Sequence, residues 1–320
     1  MMRIQKVFIL AGFISGLLIH ANEAPGAVIY VKADSTGTTN GQSWDHAFTD
    51  LQDALTTATQ GDEIWVAAGT YKPTRGADRT LSFKMPQGVA IYGGFIGTNE
   101  TTNSQRNWTA NPTILSGDIG APGDNSDNSF TVITGAFGAT LDGFTITGGN
   151  TAEAGGGMTN DCVAWMMVAN CTFRGNIGGL VGGGMYNGSS SPTVSNCTFT
   201  SNTANFGGGM CNYNASPRVT NCTFTGNTSH SGGGMCNFVA SPTVTNCIFT
   251  NNSGDNSGGG GGMDNLSSSP TVSYCSFTGN TTSVVRLTLL YIWRSSPRFS
   301  PPARSRRTPV GFDCGCPSIS

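Results

Sequence analysis

The chain has 320 residues, only 11% of them charged, and a formal net charge of −2. A typical soluble domain carries about 25% charged residues, so the surface must be covered mainly by Asn, Ser and Thr. The near-neutral balance gives no electrostatic basis for binding nucleic acid or an anionic membrane. Glycine, at 46 residues, is about twice as frequent as its usual ~7%.

Residues 1–21 have the pattern of a signal peptide. Arg3 and Lys6 precede an apolar run at 7–19, and Ala21 and Ala24 offer small-residue cleavage sites. This basic flank at a free N-terminus favours a signal peptide over a buried core helix, and the run is shorter than the ~20 residues that span a bilayer. We therefore expect a mature chain without a transmembrane span, secreted or held at the cell surface or outer membrane.

Residues 22–63 predict a strand at 27–31 followed by one amphipathic helix. Ser43 or Asp45 could cap the start of the helix, and Gly61 follows its end. An exposed strand edge at the end of a solenoid recruits other chains, so we interpret the helix as a lid over that edge. Its predicted apolar face consists of Ala47, Phe48, Leu51, Ala54 and Leu55.

A loop further along the chain is the one candidate metal site. Asp118, Asp124 and Asp127, with Asn125, lie in a segment rich in Gly and Pro. Oxygen ligands of this kind suit Ca²⁺, although the spacing does not fit the EF-hand. The alternative is turn chemistry, in which Asp and Asn side chains bond their own backbone. No other cofactor is expected.

The second half of the chain repeats a unit of about 25 residues. A Gly-Gly-Gly-Met element ends at Met158, Met185, Met210, Met235 and Met263. An aromatic column follows at Phe173, Phe199, Phe224, Phe249 and Phe277, and an asparagine column at Asn176, Asn202, Asn227, Asn252 and Asn280. A cysteine column occupies Cys171, Cys197, Cys222, Cys247 and Cys275, and a proline column Pro192, Pro217, Pro242 and Pro270.

This unit predicts one coil of a parallel β-helix. Its short β-branched runs are bounded by Gly, Asn and Pro, and it is too short for a propeller blade and lacks the helix of a leucine-rich repeat. Val194 and Phe199 both suit the core but are five residues apart, so the strand must bend between them, at Asn196–Cys197. Asn202 is a further predicted corner, and Gly207–Gly209 marks another bend.

Stacked coils explain why the columns recur. A Phe in every coil builds an aromatic column in the core, and an Asn in every coil can form an amide ladder. We expect all-β coils over residues 64–282, with regular repeats at 141–282. Earlier coils are predicted to begin near Ile64 and to continue through 89–92, 114–115 and 130–133.

The entry segment "GDEIWVAAGTY", the coil "LDGFTITGGN" and the repeats resemble exported right-handed parallel β-helix proteins of the pectin-lyase-like superfamily. The repeats are similar to those of polymorphic outer-membrane proteins, whose signature pairs Gly-Gly-Ala-Ile/Leu/Val with Phe-x-x-Asn. The second half matches five times, whereas Gly-Gly-Gly-Met is a variant of the first. The resemblance covers about residues 27–282. It implies fold and export, but not activity, since the superfamily holds both lyases and non-catalytic surface proteins.

Catalysis is not expected in the regular coils. Lyases of this fold need Ca²⁺-binding carboxylates and a basic residue facing one groove, and glycosidases need two carboxyl groups roughly 5–9.5 Å apart. The acids fall on different faces and levels, with no two in one column on adjacent coils. The acids of residues 150–282 are Glu153, Asp161, Asp255 and Asp264, and the bases are Arg174, Arg218 and His230.

The cysteines are interpreted as packing residues. A column of five cannot pair completely, so buried free thiols are expected there. Cys211 and Cys236, one coil apart, are a candidate disulfide. Outward threonines such as Thr198 and Thr200 could form an ice-binding ladder, but Arg174, Ile248 and Ser276 interrupt it, and outward Thr is also ordinary strand chemistry.

Residues 283–320 depart from the repeat and are rich in Arg and Pro. They are either a divergent cap or disordered tail, or the product of a frameshift. For the whole chain we expect an exported, non-catalytic β-helix protein that contacts polysaccharides or other cell-surface components. A polysaccharide lyase or hydrolase is the alternative, and a purely structural or ice-binding solenoid the second alternative.

Overall fold

The structure, a computed structural model, describes residues 26–255 and 259–282. Short strands stack in parallel into four sheets that run along the molecule. Each turn of the regular chain adds one strand to every sheet. The architecture is thus a parallel β-helix, which confirms the predicted fold class. The predicted signal peptide and the tail at 283–320 lie outside the described residues.

One regular coil gives the order of the sheets, which we number I to IV along the chain. Thr193–Ser195 lies in sheet I, Thr198–Thr200 in sheet II, Thr203–Phe206 in sheet III and Met210–Tyr213 in sheet IV. The next strand of sheet I, Arg218–Thr220, pairs with the first in register. Every side chain therefore lies over its equivalent in the neighbouring coil.

The strand bounds, for the residues that the structure describes, are as follows. Sheet I contains Val28–Val31, Glu63–Ala67, Ala90–Phe95, Thr140–Asp142, Met167–Ala169, Thr193–Ser195, Arg218–Thr220, Thr243–Thr245 and Thr271–Ser273. Sheet II contains Gly69–Tyr71, Thr113–Ser116, Phe144–Thr147, Thr172–Arg174, Thr198–Thr200, Thr223–Thr225, Ile248–Thr250 and Ser276–Thr278. Sheet III contains Asn150–Thr151, Ile177–Val181, Thr203–Phe206, Thr228–Ser231, Ser253–Gly254 and Thr281–Thr282. Sheet IV contains Phe83–Lys84, Ile133–Thr134, Met158–Asp161, Met185–Gly188, Met210–Tyr213, Met235–Phe238 and Met263–Leu266.

Residues with a left-handed backbone make the corners. Asn196 has φ 53° at the corner between sheets I and II, where the sequence predicts a bend. Asn202 lies at the next corner, between Thr198–Thr200 and Thr203–Phe206, but the left-handed residue there is Ser201, also at φ 53°. Gly207 has φ 66°, and a Cβ on Gly209 would lie 2.5 Å from the carbonyl oxygen of Gly234. A Cβ on Gly207 would lie 2.2 Å from the carbonyl oxygen of Met210, so only glycine fits at both positions.

The phenylalanine column forms the centre of the core. From Phe173 to Phe277 the rings stack with centroid separations of 4.6–4.9 Å and interplanar angles of 2–5°. The four rings up to Phe249 are completely buried. Stacking at the spacing of adjacent strands lets each ring pack against its copies above and below.

Beside the rings runs a buried amide ladder. The Nδ2 of Asn202 donates to the Oδ1 of Asn227 at 3.0 Å, and the Nδ2 of Asn227 donates to the Oδ1 of Asn252 at 2.9 Å. The same Oδ1 atoms also accept backbone N–H groups. For example, the backbone N–H of Asn202 donates to the Oδ1 of Asn227 at 3.0 Å. The amides thus satisfy one another and the backbone at the corner, which a buried polar group requires.

A second buried amide ladder, in sheet IV, was not predicted. Its members are Asn160, Asn187, Asn212, Asn237 and Asn265, joined by Nδ2-to-Oδ1 bonds of 2.8–2.9 Å. The signal was present, since an Asn stands two residues after every repeat methionine.

A third ladder is exposed and begins at a carboxylate. Asn246, Asn221 and Asn196 each donate to the preceding member at 2.7–3.3 Å, and Asn170 donates to the Oδ1 of Asp142 at 2.8 Å. Arg106 pairs with Asp142 at 2.9 Å, so the charged end of the ladder is neutralised.

The helix of the N-terminal segment is shorter than predicted. It spans Leu51–Thr57, and Asp50 caps it by accepting the backbone N–H of Gln52 at 3.0 Å. Ser43 and Asp45 are therefore not its caps. The predicted apolar residues still pack on the core, because Ala47, Leu51, Ala54 and Leu55 are buried and Phe48 packs against it. Two 3₁₀ turns, Asn103–Gln105 and Asn125–Asp127, lie in loops. Among the described residues, no helix is long and apolar enough to cross a membrane.

The parallel stack begins earlier than residue 64. Val28–Val31 pairs in parallel with Glu63–Ala67, so the strand before the helix is already the first strand of sheet I. Such a pairing depends on a contact over 35 residues, which the local sequence pattern does not reveal.

Candidate functional site

Sheets III and IV fold back on each other outside the main core. Left-handed glycines, such as Gly207 and Gly232, turn the chain between the two sheets. Tyr186, Cys211 and Cys236 stack in register on the outer side of sheet IV, and all three are buried. We call the space that they fill the outer cleft.

At its N-terminal end the outer cleft opens into a groove of about 490 Å³. Thr159 occupies the position that Tyr186 and Cys211 fill in the next two coils, so a small polar side chain leaves space there. Phe130 and Val181 add apolar surface to the groove. This groove combines concave shape with mixed chemistry, which is typical of a ligand site.

Two carboxylates line this groove. Glu153 and Asp161 are both exposed, and both line the groove. A Cβ on Gly188 would lie 2.7 Å from the Oδ1 of Asp161 and 2.6 Å from the Oη of Tyr186, so these two groups are neighbours. The expectation that the acids scatter over separate faces is wrong for this pair, since both line one groove. The chain reverses between sheets III and IV, a bend that column positions alone do not reveal.

An arginine lies beside the groove. The guanidinium of Arg79 lies 4.5 Å from the ring centroid of Phe130. Its Nε donates to the carbonyl oxygen of Asn128 at 2.6 Å, and its Nη2 to that of Asn150 at 3.1 Å. Arg79 thus fastens the loop before Phe130 to the first strand of sheet III and fixes one edge of the groove.

The remaining charged side chains of the repeats do not join the groove. Asp255 contacts His230, and Asp264 accepts a hydrogen bond from Ser231, at the corner between sheets III and IV of the last coils. Arg174 and Arg218 are exposed on sheets II and I.

The three aspartates of the candidate metal loop bond the loop backbone. Asp118 Oδ2 accepts the N–H of Gly123 at 3.0 Å, and Asp127 Oδ2 accepts that of Ala121 at 2.7 Å. Asp124 is exposed and caps a 3₁₀ turn, where hydrogen bonds from the Ser126 side chain and backbone hold its pKa below the usual value. Within residues 26–255 and 259–282, no three His, Cys, Asp or Glu side chains form a metal-binding group.

The first four cysteines of the column are buried thiols within the stack, and Cys275 is half-buried. The backbone N–H of Cys197 lies 3.4 Å from the sulfur of Cys222, and that of Cys222 lies 3.4 Å from the sulfur of Cys247. All five are free, and burial raises the pKa of the Cys197 thiol. Cys211 and Cys236 pair in register and are also free in the structure, so the candidate disulfide is not formed.

The outward threonines form interrupted rows. Thr172, Thr198 and Thr223 pair in register along sheet II, and the row continues as Ile248 and Ser276. In the flanking row, Arg174 pairs with Thr200. Neither row is an unbroken flat threonine surface.

Comparison with known proteins places the chain by fold. Residues 155–291 match the family model of a right handed beta helix region. No curated protein matches the chain. The family match and the sheet topology agree on a parallel β-helix, and the family match indicates the right-handed form.

Several solved structures are similar to the chain. Pectate lyase Pel9A has 14% identity and a TM-score of 0.48, and the match covers 71% of this chain and 54% of that chain. The chain thus spans about half the length of that lyase. The pectin methylesterase of Aspergillus niger in deglycosylated form has 15% identity and a TM-score of 0.46, with 82% and 91% covered. A rhamnogalacturonan lyase has 14% identity and a TM-score of 0.34, with 78% and 56% covered.

Proposed function

We propose that this right-handed parallel β-helix is exported and contacts glycans at the cell surface without transforming them. The observation that carries the proposal is the groove at the end of the outer cleft, where Phe130 stands among hydroxyl and carboxylate groups. Export rests on the signal-peptide pattern of residues 1–21.

The chemistry of the groove suits a sugar. Phe130 is 40% exposed and offers an apolar ring face, while Thr159 and the carboxylates of Glu153 and Asp161 offer hydrogen-bonding groups. The two carboxylates outnumber the one neighbouring guanidinium, that of Arg79 over the Phe130 ring. The net negative charge disfavours a polyanion, so neutral and amino sugars fit the groove better than an acidic polysaccharide.

The same groove favours the second candidate, a glycoside hydrolase, to the extent that two acids, Glu153 and Asp161, line it. Their exposure argues against it. A carboxyl group becomes a general acid near neutral pH when burial raises its pKa, and catalytic electrostatics are strong where water is excluded. Both side chains are exposed rather than buried, which supports contact rather than turnover.

Glycan binding tests the proposal. We expect the protein to bind at least one neutral or amino oligosaccharide in a panel that also contains polygalacturonate, measured by calorimetry. The variant Phe130→Ala should weaken that binding about tenfold, which corresponds to ~1.4 kcal/mol.

Tyr274→Ala is the matched control, because Tyr274 is an 88% exposed aromatic residue on the last coil, outside the groove. It should bind as the parent does. Absence of binding across the panel, or equal affinity of the parent and the Phe130→Ala variant, would contradict the proposed function.

A further inference from the structure

The loop at residues 117–129 concentrates buried oxygens that have no partner. In the part of the chain that the structure describes, seven buried side-chain oxygens lack a hydrogen bond, and four of them lie in this one loop. These four are Asp118 Oδ1, Asp127 Oδ1, Asn128 Oδ1 and Ser129 Oγ. Since buried polar groups are nearly always paired, such a concentration points to a missing ligand.

The two carboxylates are arranged alike. Asp118 and Asp127 each use Oδ2 to accept a backbone N–H across the loop, from Gly123 and Ala121. Each is left with a buried Oδ1 that no donor reaches. Among the described residues, neither carboxylate belongs to an ion pair. The nearby Arg79 donates instead to the carbonyl oxygens of Asn128 and Asn150.

Asn128 supplies a further unpaired oxygen acceptor in the loop. The residue is 2% exposed, its Nδ2 donates to Asn125 Oδ1 at 3.3 Å, and its buried Oδ1 has no partner. A Cβ on Gly148 would lie 3.5 Å from Asn128 Nδ2 and 3.0 Å from the backbone nitrogen of Asp118. The side-chain amide of Asn128 therefore lies near the backbone of Asp118. Ser129, also fully buried, follows directly.

We propose that residues 117–129 bind one Ca²⁺ ion through Asp118, Asp127 and Asn128. Two carboxylate oxygens and an amide oxygen are hard ligands, and Ca²⁺ completes its six to eight oxygens with water and neighbouring groups in flexible geometry. The Ser129 hydroxyl is one such group. The ion would neutralise the two half-buried carboxylates, each of which has one buried oxygen. Asp124, which the sequence placed among the ligands, stays outside the site and caps the 3₁₀ turn. This site is independent of the proposed glycan contact.

Calorimetric titration of the full chain with CaCl₂, after removal of metal with EDTA, tests the site. We expect saturable binding of one ion with a dissociation constant no weaker than about 1 mM, the range of extracellular calcium modules. Thermal unfolding should shift to higher temperature in CaCl₂, because a ligand that binds only the folded state stabilises it. MgCl₂ should bind more weakly, since Mg²⁺ demands near-ideal octahedral geometry.

Isosteric Asp-to-Asn variants distinguish the loss of a Ca²⁺ ligand from the loss of a negative charge in the loop. Asp118→Asn and Asp127→Asn should each weaken Ca²⁺ binding at least tenfold. Asp124→Asn removes the same charge from the same loop and should change the affinity less than about threefold, as expected of an exposed, screened carboxylate. If the parent protein shows no saturable binding, or if all three variants bind alike, the site does not exist. The parent titration decides the matter even if a variant fails to fold.

Discussion

Replacing Phe224 by alanine is expected to lower the free energy of unfolding by about 3–5 kcal/mol, the usual cost of emptying a buried phenylalanine site. Phe224 is fully buried, and its ring stacks on those of Phe199 and Phe249 with centroids 4.7 Å away on both sides. The coils above and below are held in register by backbone bonds and cannot close the gap. Guanidinium unfolding of the parent and the variant measures the loss.

Phe206→Ala is the control for this prediction. Phe206 lies in the same solenoid but is 36% exposed on sheet III, so its loss should cost less than about 1 kcal/mol, as for most surface substitutions. A loss below about 1 kcal/mol for Phe224→Ala as well would show that the rings do not form the core.

Replacing Asn227 by leucine is expected to be comparably destabilising, by about 3–5 kcal/mol. The substitution removes four side-chain hydrogen bonds of 2.9–3.0 Å, two from Asn202 to the Oδ1 and two from the Nδ2 to Phe199 and Asn252. The backbone N–H of Asn202 would then be buried without a partner, and each such group costs about 1–3 kcal/mol. The same unfolding experiment applies.

Asn221→Gly provides the comparison, since it also deletes a ladder amide. Asn221 is exposed, and glycine accepts its φ of 55° without strain. Water can replace the lost bonds, so the change should stay below about 1 kcal/mol. Equal losses in the two variants would mean that the buried ladder contributes no more than the exposed one.

The solenoid can be predicted from the sequence because stacked coils require the same residue types at equivalent positions of each repeat. Phe224 and Asn227 recur at fixed offsets since each must lie over its copy in the next coil, and the five-residue step from Val194 to Phe199 locates a corner. The second amide ladder, with Asn212, carried the same signal and could have been predicted. The cap at Asp50 could not, because the helix start depends on where the first strand and the loop after it dock.

The groove could not be predicted from the columns of repeated residues. Glu153 and Asp161 stand in a coil whose sequence departs from the repeat, and they face one space only because sheets III and IV fold back on each other. Likewise, the aspartates of the loop at 117–129 suggested a cation, but only burial and hydrogen bonding distinguish Asp118 and Asp127 from the exposed Asp124.

The regular coils present interrupted rows of Thr and Asn, and four of the five column thiols are buried in the stack. The groove and the loop at 117–129 lie where the regular repeats begin. Arg79 borders both, because it lies over the Phe130 ring and donates to the carbonyl oxygens of Asn128 and Asn150.

Turnover tests the central claim, glycan contact without catalysis, most directly. The protein is incubated with neutral, amino and acidic polysaccharides, each with CaCl₂ and with EDTA, and both new reducing ends and unsaturated uronate products are measured. We predict glycan binding with no product above the level of the buffer. Product formation by the parent protein that is lost in Glu153→Gln or Asp161→Asn would contradict the account and establish the groove as an active site.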